Sequence, residues 1–498
     1  MKKYIKYLFI AIIPSLFSSC ESEFLNLNDP DAFDVNKYYK TEQDMNDALT
    51  AAYGATRSFY NWMYFATEMK SDNATTFDAG TSGGLYYTFV SHQVTSNNAI
   101  VANIWNGLYN TIYKSNLVLK HIEDIKVTDT NRNNLERIKT EAKFLRALSH
   151  FYLIRLYGEV PVLSKLLETT TEAKSTTRQP LTDAYALIIS DLEVVANSTV
   201  LPAFYDGASA DLGRVTSTAG AALLGKVYLT MAATLNAPEY YDDAVTYLNK
   251  ACTLKGYSEF PAGATFPKIF GTANEGNEEI IFQCMYLSNT TEYSNFAYYF
   301  QPAGQTGLTS QVVGRGFNVG QANLANEYEA GDRRKATTIL QAPDGKYYTK
   351  KYIDLTNASG YGGNNWIELR FADVFLMLAE AHERLGNTVD AKANLDKVRI
   401  RAALKKYDLA DAAYHTAYPT LRDAIFHERR MELAFENHRW FDLQRMYPDG
   451  DDLEAYMTSV VEPNSGNKYS SFKAYENLLP IPYDEVFLNK NLYQNPEY

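Results

Sequence analysis

Residues 427–443 read His427-Glu428-Arg429-Arg430-Met431-Glu432-Leu433-Ala434-Phe435-Glu436-Asn437-His438-Arg439-Trp440-Phe441-Asp442-Leu443. Helical spacing across 421–446 puts Leu421, Ile425, Glu428, Glu432 and Phe435 on one stripe. Two carboxylates on an otherwise apolar stripe need cationic partners, because burial would raise their pKa values. Arg399, Arg401, Arg439 and Arg445 are near enough in sequence or pattern to supply them. The functional alternatives are catalysis by paired carboxylates, or a metal held by His427 and Glu432. A His-Glu-x-x-His spacing is absent, and His438 does not restore it. The stretch reads as structural ion pairing within a helical scaffold.

Helical patterning extends outward from it in both directions. Thr41-Glu42-Gln43-Asp44 can cap a helix carrying Met45, Ala48, Leu49, Ala52 and Tyr53. Long helices are expected over 99–122 and 134–157, the second ended by Gly158 and Pro161. Further helices are expected over 182–197, 216–235 and 242–250. The last two form a hairpin in which Gly225, Ala232 and Ala233 permit close approach and Tyr228, Tyr241 and Tyr247 fill the groove, as in tetratricopeptide-type pairs. A second such pair covers 370–385 and 389–403, joined at Gly386-Asn387. The spacing is too uneven for a regular superhelical array.

Between these pairs, residues 256–365 are rich in Gly, Asn, Thr and Tyr, with strand-like runs at 280–284 and 346–353. Loop-rich insertions of this kind are where binding residues tend to sit. The last fifty residues read as irregular, packing back on the helices. At the other end, a basic start (Lys2, Lys3, Lys6) precedes an apolar run from Tyr7 to Phe17, then Ser18, Ser19 and Cys20. The run is too short to span a bilayer and reads as a secretory signal. The layout resembles a bacterial lipoprotein signal, in which Cys20 becomes the lipidated first residue. Phe17 stands where that signal usually has Leu. An ordinary signal peptide with an incidental cysteine is the other reading.

The 498 residues are 46% hydrophobic and 21% charged, with formal charge −12, a globular composition. That charge argues against nucleic acid and against adhesion to anionic lipid by a basic surface. Beyond Cys20 there are only Cys252 and Cys284. They could pair in an exported chain, but read as buried free thiols. Tyrosine is abundant, at 39 residues. A Tyr ring joins an apolar face to a polar tip, so it suits a wet binding surface as well as helix packing.

The 428–443 motif closely resembles the C-terminal signature of SusD/RagB-like lipoproteins of Bacteroidetes. Four other segments agree. Glu141-Ala142-Lys143-Phe144-Leu145-Arg146-Ala147 through Tyr157-Gly158-Glu159-Val160-Pro161 looks like the family's early helix and its exit, and Trp105, Tyr109, Ile112 and Asn116 match the helix before it. Leu369-Arg370-Phe371-Ala372-Asp373-Val374 through Ala379-Glu380-Ala381 looks like its late helix, and Leu479-Pro480-Ile481-Pro482 with Gln494-Asn495-Pro496 like its end.

The resemblance implies a mainly α, SusD-like fold with four tetratricopeptide-like helix pairs supporting a loop-rich half with short strands. The expected division is a signal peptide over 1–19, a tether over 20–40 and one domain over 41–498. Within that domain the helical scaffold spans 41–255 and 366–447, the insertion 256–365 and the tail 448–498. It further implies a binding protein rather than an enzyme, without cofactor or metal, anchored through Cys20 at the cell surface of the outer membrane. Such a protein is the lid of a SusC-like TonB-dependent barrel and captures glycans or, in some members, peptides. Glu21 and Glu23 are similar to the family's surface-export signal. Family sites use loop aromatics with polar residues. The candidates are Trp62, Tyr64, Asp72, Asn73, Tyr86, Tyr87, Tyr293, Phe296, Tyr298 and Tyr299, with Asp72 the leading polar group because family members carry an acid in the corresponding loop. If 293–300 is extended, Phe296, Tyr298 and Phe300 share one face, and Tyr293 and Tyr299 the other.

A secreted glycosidase is the competing reading, and needs two carboxylates facing each other across a cleft; a pure protein-interaction scaffold is another. Gly314-Arg315-Gly316-Phe317-Asn318-Val319-Gly320 lacks the strand–turn–helix setting and the final spacing of a dinucleotide loop. Asp449-Gly450-Asp451-Asp452 lacks an EF-hand layout and reads as a solvated turn.

Overall fold

The computed structural model describes residues 39–76, 84–460 and 471–498. Cys20, Glu21, Glu23, the signal and most of the tether lie outside them. The described elements, in chain order, begin with helix α1 (Glu42–Thr67), β1 (Ala74–Thr75), α2 (Tyr87–Val90), α3 (Ala99–His121), α4 (Arg132–Tyr157), α5 (Leu181–Ala196), α6 (Ser217–Thr234) and α7 (Tyr240–Lys255). The middle holds β2 (Ile280–Cys284), α8 (Phe296–Tyr299), β3 (Val319–Gly320), α9 (Ala322–Glu327), β4 (Leu340–Gln341), β5 (Tyr347–Tyr348) and β6 (Trp366–Arg370). Then come α10 (Phe371–Arg384), α11 (Thr388–Arg401), α12 (Ala412–Ala417), α13 (Leu421–Leu433), α14 (Arg439–Met446), α15 (Gly450–Ser459) and α16 (Tyr483–Leu488).

Four helix pairs form the scaffold. Helix α1 packs on α3, α4 on α5, α6 on α7 and α10 on α11, and neighbouring pairs join through α3–α4, α5–α6 and α7–α10. Thr41 caps α1 as its sequence indicates: its hydroxyl accepts from Asp44 N (3.1 Å) and the Asp44 carboxylate from Thr41 N (2.8 Å). Close approach between helices depends on glycine. A Cβ on Gly107 would lie 2.9 Å from the backbone nitrogen of Phe59, and one on Gly225 would lie 2.6 Å from Leu248 Cγ. The expected small-residue contact of α6 with α7 is therefore present.

Strands of the insertion form two small sheets together with β1 and β6 from outside it. Strand β2 pairs antiparallel with β6 under the scaffold, and β1, β3, β5 and β4 form a second sheet in that order. The strand expected over 346–353 is shorter, only Tyr347–Tyr348, because Lys351 and Tyr352 turn inward to other work. The tail is more regular than expected. Asp449 caps α15 through its side chain (2.8 Å to Asp451 N), so the acidic run is a helix start rather than a free turn. The end packs back on α4: Asn495 Nδ2 donates to the carbonyls of Tyr157 and Leu479. Both cysteines are free; Cys284 is buried and Cys252 half-buried.

The helix expected across 421–446 is broken. Helix α13 stops at Leu433 and α14 starts at Arg439, with Phe435 and Asn437 at φ +68° and +65° between them, a conformation that costs a bulky residue energy. Side chains from distant segments take the carbonyls that the lost helical turn would have satisfied. Lys351 Nζ donates to Glu432 O (2.9 Å) and Ala434 O (2.8 Å), Arg370 Nη2 to Glu432 O (2.9 Å) and Tyr352 OH to Phe435 O (2.8 Å). The Glu68 carboxylate accepts from Asn437 N (2.8 Å).

Beside this break lies a buried charge network. Arg370 binds Glu432 (2.6 Å), Glu279 (2.9 Å) and both oxygens of Glu436 (2.7 and 2.9 Å). Arg334 binds Asp332 (2.6 Å), Glu428 (2.6 Å) and Glu432 (3.2 Å). Arg399 binds Glu428 (3.0 Å), Arg401 binds Glu279 and Glu432, and Lys351 binds Glu436 (2.5 Å). Five carboxylates (Glu279, Asp332, Glu428, Glu432, Glu436) thus meet five cations (Arg334, Lys351, Arg370, Arg399, Arg401), all with side chains at most 3% exposed. The ion pairing expected from the sequence is present for two of its four named cations, Arg399 with Glu428 and Arg401 with Glu432. Arg439 instead binds Asp72, and Arg445 binds Glu380 and Asp442. Arg334 and Arg370, from the insertion and β6, take their places.

Burial alone would raise Glu432, but Arg401, Arg370 and Arg334 outweigh it and hold its carboxyl well below the ordinary range. Asp72 is held down likewise by Arg430 and Arg439 against its own burial. A carboxyl depressed in the fold contributes stability that is present above its unfolded pKa, roughly 4, and is lost as pH falls through the folded value. His150, which burial lowers to about 4, adds loss in the same direction below its unfolded value. The expected result by calorimetry is a Tm that falls steeply below about pH 4. A Tm unchanged down to about pH 2.5 would contradict this assignment of the buried charges.

Candidate functional site

The end of α1, the start of α2, α8 and the segment 314–317 bring their aromatic side chains together in one row. Trp62 lies against Phe65 (ring centroids 6.1 Å), Phe65 against Tyr86 (5.0 Å), Tyr86 against Phe317 (4.4 Å), Phe317 against Tyr299 (4.9 Å) and Tyr299 against Tyr298 (4.7 Å). Trp62, Tyr86, Tyr298 and Tyr299 are half-buried, whereas Phe65 and Phe317 lie beneath them. Beyond Tyr298 the row meets a second pair, Tyr293 and Tyr361 (4.9 Å). Gly360, at φ +89°, lets that loop approach the Tyr298 ring: a Cβ there would sit 3.9 Å from it.

The row rests on a rigid base. Tyr64 packs edge-on against Phe300 (4.8 Å), Phe300 against Tyr352, and Tyr352 stacks on Trp366 (5.1 Å). Backbone bonds fix the rows in register: Arg315 N donates to Tyr298 O (2.9 Å) and Phe317 N to Tyr299 O (2.8 Å). Gln301, fully buried, organises the loop beside them. Its Oε1 accepts from the backbone of Leu308, Thr309 and Ser310, and its Nε2 donates to the carbonyls of Gln305 and Val312. Burial, and then the neighbouring Tyr299 hydroxyl, push Tyr298 above its ordinary value, so it stays a neutral phenol with its hydroxyl bonded to Asn295 (3.2 Å).

The structure separates the ten expected residues into two groups. Trp62, Tyr86, Tyr298 and Tyr299 share the row, Tyr293 borders it, and Tyr87 is exposed at the start of α2. Tyr64, Asp72, Asn73 and Phe296 are corrections, since each is at most 1% exposed. Asp72 takes a bidentate pair from Arg439 (2.7 and 2.8 Å) and a bond from Tyr456 OH (2.7 Å). Asn73 joins Glu68 to Arg430. The 293–300 run is also not extended. Its core is a helical turn, so Phe296 and Phe300, four apart, both face inward while Tyr298 and Tyr299 face out. The aromatic count did not single out Phe65, Phe317 and Tyr361. The signal for Phe317 was its place after Gly314 and Gly316, glycines expected where backbone must come close.

Away from the row, α9 and α12 border a cleft of about 580 Å³ lined by Glu327, Glu329, Tyr414 and Tyr418. Its acids, Glu327, Glu329 and Asp411, are each engaged by a basic side chain. Both Glu329 oxygens bind Arg399. Burial would raise Glu327, but His427, Arg430 and Tyr418 bring it down to about 2, the wrong direction for a general acid. His427 faces Glu327 (3.4 Å) while Glu432 faces the arginine cluster, so the two do not share a metal.

The described SusD family model matches residues 293–498, and the model described as starch-binding and associating with outer membrane matches 23–229. SusD-like protein P2 of Formosa agariphila is 26% identical over the full length of both chains. Among solved structures, a laminarin-binding SusD-like protein aligns over 92% of this chain and 100% of its own, with TM-score 0.74 and 23% identity. Surface glycan-binding protein A of Bacteroides thetaiotaomicron, in complex with laminarihexaose, aligns over 92% and 99% with TM-score 0.75 and 21% identity. At these identities the solved structures establish the shared fold.

Proposed function

The chain belongs to the SusD/RagB-like family, and from that premise we propose that it captures glycans on the aromatic row and serves as the surface lid of a SusC-like TonB-dependent importer. The observation that carries this is the row itself: four half-buried rings, Trp62, Tyr86, Tyr299 and Tyr298, aligned through the buried Phe65 and Phe317 beneath them. Pyranose rings present C–H faces edged by hydroxyls, and flat aromatic faces with polar tips match both. The row needs no catalytic group, so the ligand is bound and released without turnover. The laminarin-binding and laminarihexaose-bound proteins of the same fold support a glycan as ligand. The family description supports association with the outer membrane, where the Cys20 lipid would hold the chain beside its barrel. No helix among the described residues is long and apolar enough to cross a membrane.

Affinity electrophoresis of the soluble form, residues 21–498, through gels containing single polysaccharides tests the reading. Retardation by one or a few glycans, with the polymer recovered intact, is the expected result. Retention of peptides alone would move the ligand to peptides, and shortened polymer would favour a hydrolase.

A further inference from the structure

Resting on capture at the aromatic row, we infer that Arg315 selects the ligand class: the row takes a glycan carrying an oxyanion substituent, a uronate carboxylate or a sulfate. Arg315 is exposed beside Tyr298 and Tyr299 and, among the described residues, has no carboxylate partner. The carboxylate of Glu292, next in sequence to Tyr293, is taken by Arg57 (2.9 Å). This places an exposed guanidinium, without a carboxylate partner among the described residues, at the edge of the row.

The backbone that carries it is pinned. A Cβ on Gly314 would lie 2.2 Å from Pro302 O, and Gly316, at φ +67°, would bring one to 3.0 Å from Ala303 N. Both positions therefore require glycine, and the Gly-Arg-Gly spacing that fails as a nucleotide loop works as a mount for Arg315. Arg315 N is bonded to Tyr298 O, so the root of the side chain is fixed beside the Tyr298 backbone. Arg315 lies close enough for its charge to be felt at the Tyr298 hydroxyl, so a sugar stacked on Tyr298 has an anion-binding group within reach. The planar fork of a guanidinium donates two parallel hydrogen bonds to a carboxylate or sulfate and has no acceptor for a sugar hydroxyl proton.

Calorimetry of the soluble form against oligogalacturonate, carboxyl-reduced oligogalacturonate, a sulfated galactan oligomer and laminarin oligomers tests this. Wild type is expected to prefer a charged chain over the neutral ones by about tenfold or more, with affinity falling as salt rises. Whether the carboxylated or the sulfated chain binds names the anion. Arg315→Gln should bring the preference close to unity, and Arg315→Lys should retain part of it, with Tm unchanged in both. Equal affinity for charged and neutral chains, or a preference that survives Arg315→Gln, overturns the role of Arg315 and leaves capture on the row standing. Wild type that binds no glycan overturns both.

Discussion

Arg370→Met is expected to destabilise the protein by about 3–5 kcal/mol, the usual cost of removing one partner from a buried ion pair. Arg370 meets Glu432, Glu279 and Glu436 and also holds a carbonyl at the α13–α14 break. Methionine fills similar volume, so the loss is electrostatic rather than a cavity. It leaves five carboxylates facing four cations, and the Glu432 carbonyl with Lys351 alone. Chemical denaturation should show a lower midpoint, and Arg370→Lys should recover part of it by restoring charge without the fork. An unchanged midpoint would mean that the network does not hold the break. The effect reaches the binding row indirectly, since Tyr352, bonded to Phe435 O, also underlies Phe300 and Tyr64.

Trp62→Ala combined with Tyr298→Ala is expected to abolish measurable glycan binding. Each removes one end of the row, and the loss of an aromatic contact of this kind costs about 1–2 kcal/mol, roughly tenfold in affinity each. Both rings are half-exposed, so the fold should tolerate their loss. Tyr113→Ala is the control. It is 49% exposed on α3, and the neighbouring Lys114 reaches Ala51 O, a stretch of α1 roughly 16 Å from Trp62 at helical rise. Binding by the double variant at wild-type affinity, measured by calorimetry, would place the site elsewhere.

Local pattern and long-range chemistry differ in how far they can be read from this sequence. Helices α3 to α7 fall close to their expected spans, apart from α7, which is longer, because amphipathic spacing and caps are local properties. Strand β2 matches the expected 280–284 run. The break after Leu433 was invisible because the groups that stabilise it, Lys351 and Tyr352, lie some eighty residues earlier. Helical periodicity continued through it, since Phe435 is apolar for a different reason than the stripe implied. Asp72 looked like a ligand group because family members carry an acid in the corresponding loop, yet its partner Arg439 is 367 residues away. Half of the row was legible as an excess of tyrosine. Which rings lie together was not, because the row joins four separate segments, and one of them, 314–317, is marked only by its glycines.

A crystal structure of the soluble form with the oligosaccharide that binds it best tests the central claim most directly. The predicted result is sugar rings stacked along Trp62, Tyr86, Tyr299 and Tyr298 with the underlying side chains unmoved. A sugar seated in the cleft between α9 and α12, with the row bare, would contradict it.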